Sequence, residues 1–228
     1  MKKTEVKEKK FIPKVNGTLR SFMLEVPEEI YQASGIVILG KRIKSIVFST
    51  DVSIIRNINA DAILAVYPFT PQPVITQAIM SCADMPVFCG IGGGLTQGKR
   101  VVNMAHHAEN QGALGVVMNS PSTNEDLMHV AAAIDIPIII TVVSDKEDFA
   151  SRIKAGAQII NVSAAAKTPE VVRTIRQQFP ELPIIATGGN TPESILRTIE
   201  AGANAITWTP PSNGEIFHDK MDHYRQKF

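Results

Sequence analysis

Cysteine is nearly absent from this chain of 228 residues: only Cys82 and Cys89 occur. Their spacing fits neither a metal site nor a redox pair, so a disulfide scaffold is excluded and a reduced, cytoplasmic protein is expected. Aromatic residues are scarce at 6%, which leaves Ile, Val, Ala and Leu to build any core. An excess of one charge is missing too. The formal net charge is +1, which argues against a dedicated nucleic-acid or membrane-surface protein. No apolar run approaches the roughly 18 residues a membrane span requires. The start, residues 1–10, is basic without an apolar stretch behind it. It reads as a solvated, frayed tail and not as a secretory signal.

What is present is a repeat. Short, β-branched apolar runs fall at 43–50, 62–66, 87–90, 114–119, 138–143, 159–163, 184–187 and 204–209. Nearly continuous apolar runs suit parallel strands buried on both faces. The segments between them carry helix signals. Thr70-Pro71, Thr168-Pro169 and Thr191-Pro192 each place an N-cap hydroxyl before a proline at the first helical position. Ser144 with Glu147, and Ser212 with Glu215, have capping-box spacing. Gly112, Gly156 and Gly202 stand where a left-handed residue would close a helix.

The approaches to the runs alternate as well. Runs two, four, six and eight follow Ala60-Asp61-Ala62, Gln111-Gly112-Ala113, Ala155-Gly156-Ala157 and Ala201-Gly202-Ala203, whereas Pro86, Pro137 and Pro183 precede runs three, five and seven. Layers drawn from alternate strands would leave this pattern. The expected architecture is α/β: a single (β/α)8 TIM barrel over 43–228, an open doubly wound sheet being the alternative. Residues 1–42 are read as an N-terminal extension, too short for its own core. It is expected to hold a short helix within 22–33 and a hairpin turning at Gly40-Lys41, to cap the barrel and to offer a homodimer surface.

In such a barrel, chemistry belongs to the loops after the strands. Here these loops are rich in hydroxyl, amide and glycine groups, including Asn119, Thr141, Asn161, Ser163, Thr207 and Thr209. The set suits a polar, phosphorylated small molecule. After run seven, Thr187-Gly188-Gly189-Asn190 leads into Thr191-Pro192. Paired glycines before a helix start allow close approach of an anion, and a tight turn is the plain alternative. After run three, Gly92-Gly93-Gly94 points to close approach of a ligand or a moving lid, again with a simple turn as the alternative. Asp51 could be a catalytic base or acid, or an ordinary N-cap. Lys99 and Lys167 could neutralise a substrate anion, or be solvated.

The stretch 183–206 (PIIATGGNTPESILRTIEAGANAI) resembles the last third of the phosphate-binding barrels. Among these are ribulose-phosphate-type epimerases, thiamin-phosphate synthase, keto-deoxy-phosphogluconate aldolase and the barrel of inosine-monophosphate dehydrogenase. The resemblance covers 43–210 and implies a bound phosphate, with no single reaction. Several sugar-phosphate isomerases of this kind keep a catalytic carboxylate at the position of Asp51. The whole chain also resembles a bacterial group labelled only as hydrolase, through VYPFTPQP at 66–73 and GIGGGLTQGKR at 90–100. Run six lacks the lysine that the resembled Schiff-base aldolases use, and the histidines fall inside helices, so no metal or other cofactor is expected.

The expected function is therefore an enzyme on a small phosphorylated metabolite, of lyase or isomerase type, abstracting a proton beside a carbonyl. A hydrolase of unstated mechanism is one alternative. The other is a ligand-sensing RNA-binding regulator, like the glycerol-uptake antiterminators this chain resembles. That reading needs a basic face, and the tail lysines 2, 3, 7, 9 and 10 are the only clear cluster.

Overall fold

The computed structural model describes residues 11–227 apart from 16, 20 and 21. The basic tail, with its lysines, lies outside the described residues. The extension forms an antiparallel hairpin of β1 (Ile36–Ile38) and β2 (Lys41–Ile43). Its turn residues, Leu39 and Gly40, have φ of 46° and 79°, the left-handed pair whose twist matches a two-residue hairpin. The run expected at 43–50 is split at Lys44. Asp61 Oδ2 accepts the N–H groups of Lys44 (2.8 Å) and Ser45 (3.0 Å), turning the chain out of the hairpin and into the barrel.

Eight parallel strands then close on themselves. They are β3 (Ser45–Phe48), β4 (Ala62–Ala65), β5 (Val87–Gly92), β6 (Gly115–Met118), β7 (Ile138–Val142), β8 (Ile159–Val162), β9 (Ile184–Thr187) and β10 (Ala205–Trp208). Each pairs with the next and β10 returns to β3, so the open-sheet alternative is excluded. The helices are α1 (Val52–Ile55), α2 (Pro73–Cys82), α3 (Lys99–Asn110), α4 (Asn124–Ala131), α5 (Phe149–Lys154), α6 (Thr168–Gln178), α7 (Pro192–Glu200) and α8 (Asn213–Arg225). No helix among the described residues is long and apolar enough to cross a membrane.

Strand alternation divides the core in two. Val47, Ile63, Val116, Ile140, Ile160, Ala186 and Ile206 face outward into one buried cluster. Ile46, Leu64, Phe88, Val117, Ile139, Ile159, Ile185 and Ala205 belong to another, along the barrel axis. Ile36, Ile38 and Ile43 of the hairpin join the axial cluster and so close the end where the strands begin.

The odd/even alternation has a hydrogen-bond basis at that same end. The carbonyls of Pro86, Pro137 and Pro183 accept from Ile63 (2.9 Å), Val116 (2.9 Å) and Ile160 (3.1 Å). Each proline stands just before its own strand, where it lacks only an N–H the ladder does not need. Gly112, Gly156 and Gly202 end their helices with φ of 85°, 117° and 113°, as expected.

Several helix boundaries differ from the sequence reading. In the 22–33 segment only a short 3-10 helix forms, at Glu28–Gln32. Pro27 disfavours helical backbone at the residue before it, and Leu24 instead bridges in parallel to Ile58. Helix α2 starts at Pro73 with Gln72 as N-cap, two residues past Thr70-Pro71, where Tyr67 Oη accepts the Gln72 N–H (3.0 Å). Thr168 lies inside α6 and its hydroxyl accepts from Ala164 N–H (3.0 Å). Ser144 and Glu147 form no capping box: α5 is capped by Asp148, whose side chain accepts from Ser151 N–H. The expected box at Ser212 forms with Glu215, and Thr191, expected only as an N-cap, also forms one with Ser194.

Packing leaves no room for a side chain where β6 begins. A Cβ at Gly115 would lie 2.8 Å from the Pro137 carbonyl oxygen and 3.1 Å from the Phe88 ring. Gly115→Ala should destabilise the barrel by about 1–3 kcal/mol, read as a lower urea midpoint with an unchanged slope.

Candidate functional site

The axial faces continue beyond the apolar cluster at the other end of the barrel. Two residues past five of the inward apolar positions stands an inward polar one: Asn119 after Val117, Thr141 after Ile139, Asn161 after Ile159, Thr187 after Ile185 and Thr207 after Ala205. With Phe48, Leu64, Val66, Ser163 and Thr209 they line a cavity of about 270 Å³ at the barrel mouth. Asn161 Nδ2 donates to Thr141 Oγ1 (3.1 Å). Asn161 Oδ1 and Thr207 Oγ1 are buried without a protein partner among the described residues, each side chain belonging to a residue 4% exposed.

A second cavity, of about 230 Å³, opens sideways from the first between the loops after β4 and β5. Val66 and Asn119 line both. One wall is Tyr67, Pro68, Phe69 and Pro71; the other is Gly92, Gly93, Leu95 and Thr96. Strand β5 changes register against β6 between Gly90 and Gly92, a bulge of the kind that re-aims backbone beside active sites. At Gly93 φ is 142° and a Cβ would lie 2.6 Å from Asn119 Cβ. Glycine is required there because the Asn119 side chain packs against its backbone. The loop is also tied down at its far end, where Gly98 N–H donates to the buried Asp126 carboxylate (2.7 Å).

The expected site residues separate into groups. Asn119, Asn161, Thr187 and Thr209 line the mouth; Gly92 and Gly93 line the side cavity, as does Asn119. Gly94 follows in the same loop, its carbonyl accepting from Gln97 Nε2 (2.6 Å). Gly188, Gly189 and Asn190 line neither cavity. Gly188 N–H already donates to the Thr207 carbonyl (3.1 Å), while the N–H groups of Gly189 and Asn190 have no partner among the described residues.

Both neighbouring helix starts carry their own acid. Glu215 Oε2 accepts from Ser212 N–H and Oγ (2.7 Å each), and these bonds hold its carboxyl below the usual range. Glu193 is likewise held low, first by its own backbone N–H and then by the Thr191 hydroxyl. Pro210 and Pro211 contribute no N–H. Each of these helix starts therefore already carries a negative charge of its own.

The three charged candidates do not line either cavity. Asp51 is the N-cap of α1: its Oδ1 accepts from Ser53 N–H (2.8 Å), Ser53 Oγ (2.7 Å) and Ile54 N–H (3.3 Å). The Ser53 hydroxyl leads in holding its pKa below 3.8, against an opposing effect of burial. Lys99 and Lys167 are exposed, at the first residue of α3 and the N-cap of α6.

With this geometry in view, comparison with known proteins bears on the fold. No family model matches the chain, and no curated protein matches it. Solved structures do. A phosphoenolpyruvate phosphomutase from Streptomyces platensis subsp. rosaceus is 13% identical, with 86% of this chain and 83% of that one covered and a TM-score of 0.61. Phosphonopyruvate hydrolase in complex with oxalate and Mg is also 13% identical, at 84% and 94% coverage and a TM-score of 0.59. An aldolase is 20% identical, at 79% and 94% coverage and 0.54. The shared feature is the TIM barrel.

Magnesium is ordinarily held through one or two carboxylates. Here the mouth presents amides and hydroxyls, with no carboxylate, and no group of three His, Cys, Asp or Glu is placed to hold a metal among the described residues. Two carboxylates in loops of this end, Asp51 and Glu147, are held by local bonds. Glu147 Oε1 accepts from Val143 N–H (2.8 Å) and Ser120 Oγ (3.2 Å). The donor set does not fit a resident magnesium ion.

Thr141, Ser163 and Thr207 were legible only as members of a long loop inventory. Their signal is the two-residue period: each stands an even number of places beyond an inward apolar residue of its own strand. Asp51 gives the prediction of this section. Asp51→Ala should destabilise by about 1 kcal/mol near neutral pH, and Asp51→Asn much less, since either side chain caps. Because the folded pKa is lowered, the Asp51 contribution is present above 3.8 and is lost as pH falls through the folded value. Urea titrations of wild type and Asp51→Ala should converge in that window.

Proposed function

We propose that this chain is an enzyme acting on a small phosphorylated metabolite bound at the barrel mouth. The phosphate lies between the ends of β9 and β10, on the hydroxyls of Thr187, Thr207 and Thr209 and the free N–H groups of Gly189 and Asn190. The observation that carries this reading is the pair of buried, unpartnered polar atoms, Asn161 Oδ1 and Thr207 Oγ1. Leaving such an atom unsatisfied costs about 1–3 kcal/mol, so keeping both at one cavity fits a ligand that completes them. Strands seven and eight are also where this fold recurrently holds phosphate, and the likeness of 183–206 to the phosphate-binding barrels agrees. The similar barrels named above as a mutase, a hydrolase and an aldolase support an enzyme.

The reaction class we favour is a lyase or isomerase type, with proton abstraction beside a carbonyl. Lys99, at the first residue of α3, and Lys167, at the N-cap of α6, are the groups we assign to charge neutralisation or proton transfer; both are exposed. One observation favours a second reading, a ligand sensor without chemistry: no carboxylate, amine, guanidinium or imidazole lines either cavity.

A phosphorylated metabolite at 100 times its dissociation constant should stabilise the protein by about 2.7 kcal/mol. Thr207→Val keeps the shape and removes the orphaned hydroxyl, so the free variant should be about 1 kcal/mol more stable than wild type while losing the ligand-induced rise. A full rise in the variant, or none in wild type across a panel of phosphorylated metabolites, overturns the proposal. Conversion of the bound compound, followed by mass spectrometry, separates enzyme from sensor.

A further inference from the structure

We infer that the ligand is elongated: its phosphorylated part occupies the mouth, and a planar ring occupies the side cavity between the loops after β4 and β5. This inference rests on the reading of the mouth given above. Three features carry it. The two cavities adjoin at Val66 and Asn119, which line both, and the Asn119 carboxamide makes no hydrogen bond to protein among the described residues. The residue that carries it is held in place by its backbone N–H, which donates to the Gly92 carbonyl (3.0 Å), and by its Cβ against Gly93. A group fixed at the junction and left unpaired is suited to the link between two parts of one ligand.

The walls of the side cavity differ in kind from the mouth. Prolines and aromatic residues of one loop and glycines of the other line it, a composition that offers flat apolar surface together with close backbone approach. No charged side chain intervenes. At its rim Phe69 and Leu95, from the two opposing loops, are 73% and 99% exposed. A ring inserted between these loops would cover both. At about 230 Å³ the cavity suits one ring system and is small for a second large group, since whole ligand pockets run to about 300–1,000 Å³.

The test uses calorimetric titration of the full chain with four probes: inorganic phosphate, glycerol 3-phosphate, phenyl phosphate and uridine 5′-monophosphate. At least one of the two ring-bearing probes should bind about tenfold tighter than glycerol 3-phosphate, the effect of burying one ring face. Phe69→Ala, an exposed position that should leave folding intact, should remove most of that advantage while glycerol 3-phosphate binds as before. Asn119→Ala should weaken the ring-bearing probe more than inorganic phosphate. If glycerol 3-phosphate binds and neither ring-bearing probe gains, or if the gain survives Phe69→Ala, the inference is overturned while the phosphate reading stands. If none of the four binds, the phosphate reading fails and this inference with it.

Discussion

In a closed parallel barrel every strand bonds to a neighbour on both sides, so side chains have two directions left, toward the axis or toward the helices. That constraint organises this molecule. It sends Ile140, Ile160 and Ile206 under the helices and Ile139, Ile159 and Ala205 to the axis. It also makes the residue two places further along each axial face a lining residue of the mouth. The hairpin of the extension closes the opposite end with Ile36, Ile38 and Ile43, leaving one end of the axis for function. Fold and site are thus consequences of one alternation, apolar at depth and polar at the opening.

A second constraint acts at the rim. Carboxylates are present in this region, yet they serve the backbone: Asp51 caps α1, Glu215 closes α8, Glu147 holds the loop after β7 and Asp126 ties down the glycine loop. Bonds of this kind hold the carboxyls of Asp51 and Glu215 below their usual range. The mouth itself is lined by neutral donors and acceptors among the described residues. Barrels of one shape accommodate very different donor sets because the shape depends on the axial and outward apolar residues, whereas the chemistry depends on the few side chains beyond them.

The glycine loop after β5 joins these two themes. Its residues are not there for looseness alone. Gly93 is small because Asn119 leans on it, and Gly98 is tethered to Asp126. The result is a fixed wall beside the mouth, facing the proline and aromatic wall of the preceding loop. The resulting side cavity is a property of two loops that are 20 or more residues apart in the chain and adjacent only because β4 and β5 pair.

By itself the sequence determined the barrel, because periodic apolar runs, terminal glycines and alternating prolines each report a local backbone requirement. It determined the neutral, hydroxyl-rich character of the strand ends for the same reason. Where a signal was local but ambiguous, as at Thr70-Pro71 or Ser144 with Glu147, the choice fell to other contacts: Tyr67 holds Gln72, and Ser120, 27 residues away, shares Glu147. Only the tertiary structure decided that the Gly188 N–H is used by Thr207 and that Asn119 stands between two cavities. Each of these depends on which partner a polar group finds across the barrel, and a partner that comes from another strand leaves no mark on the spacing of its own.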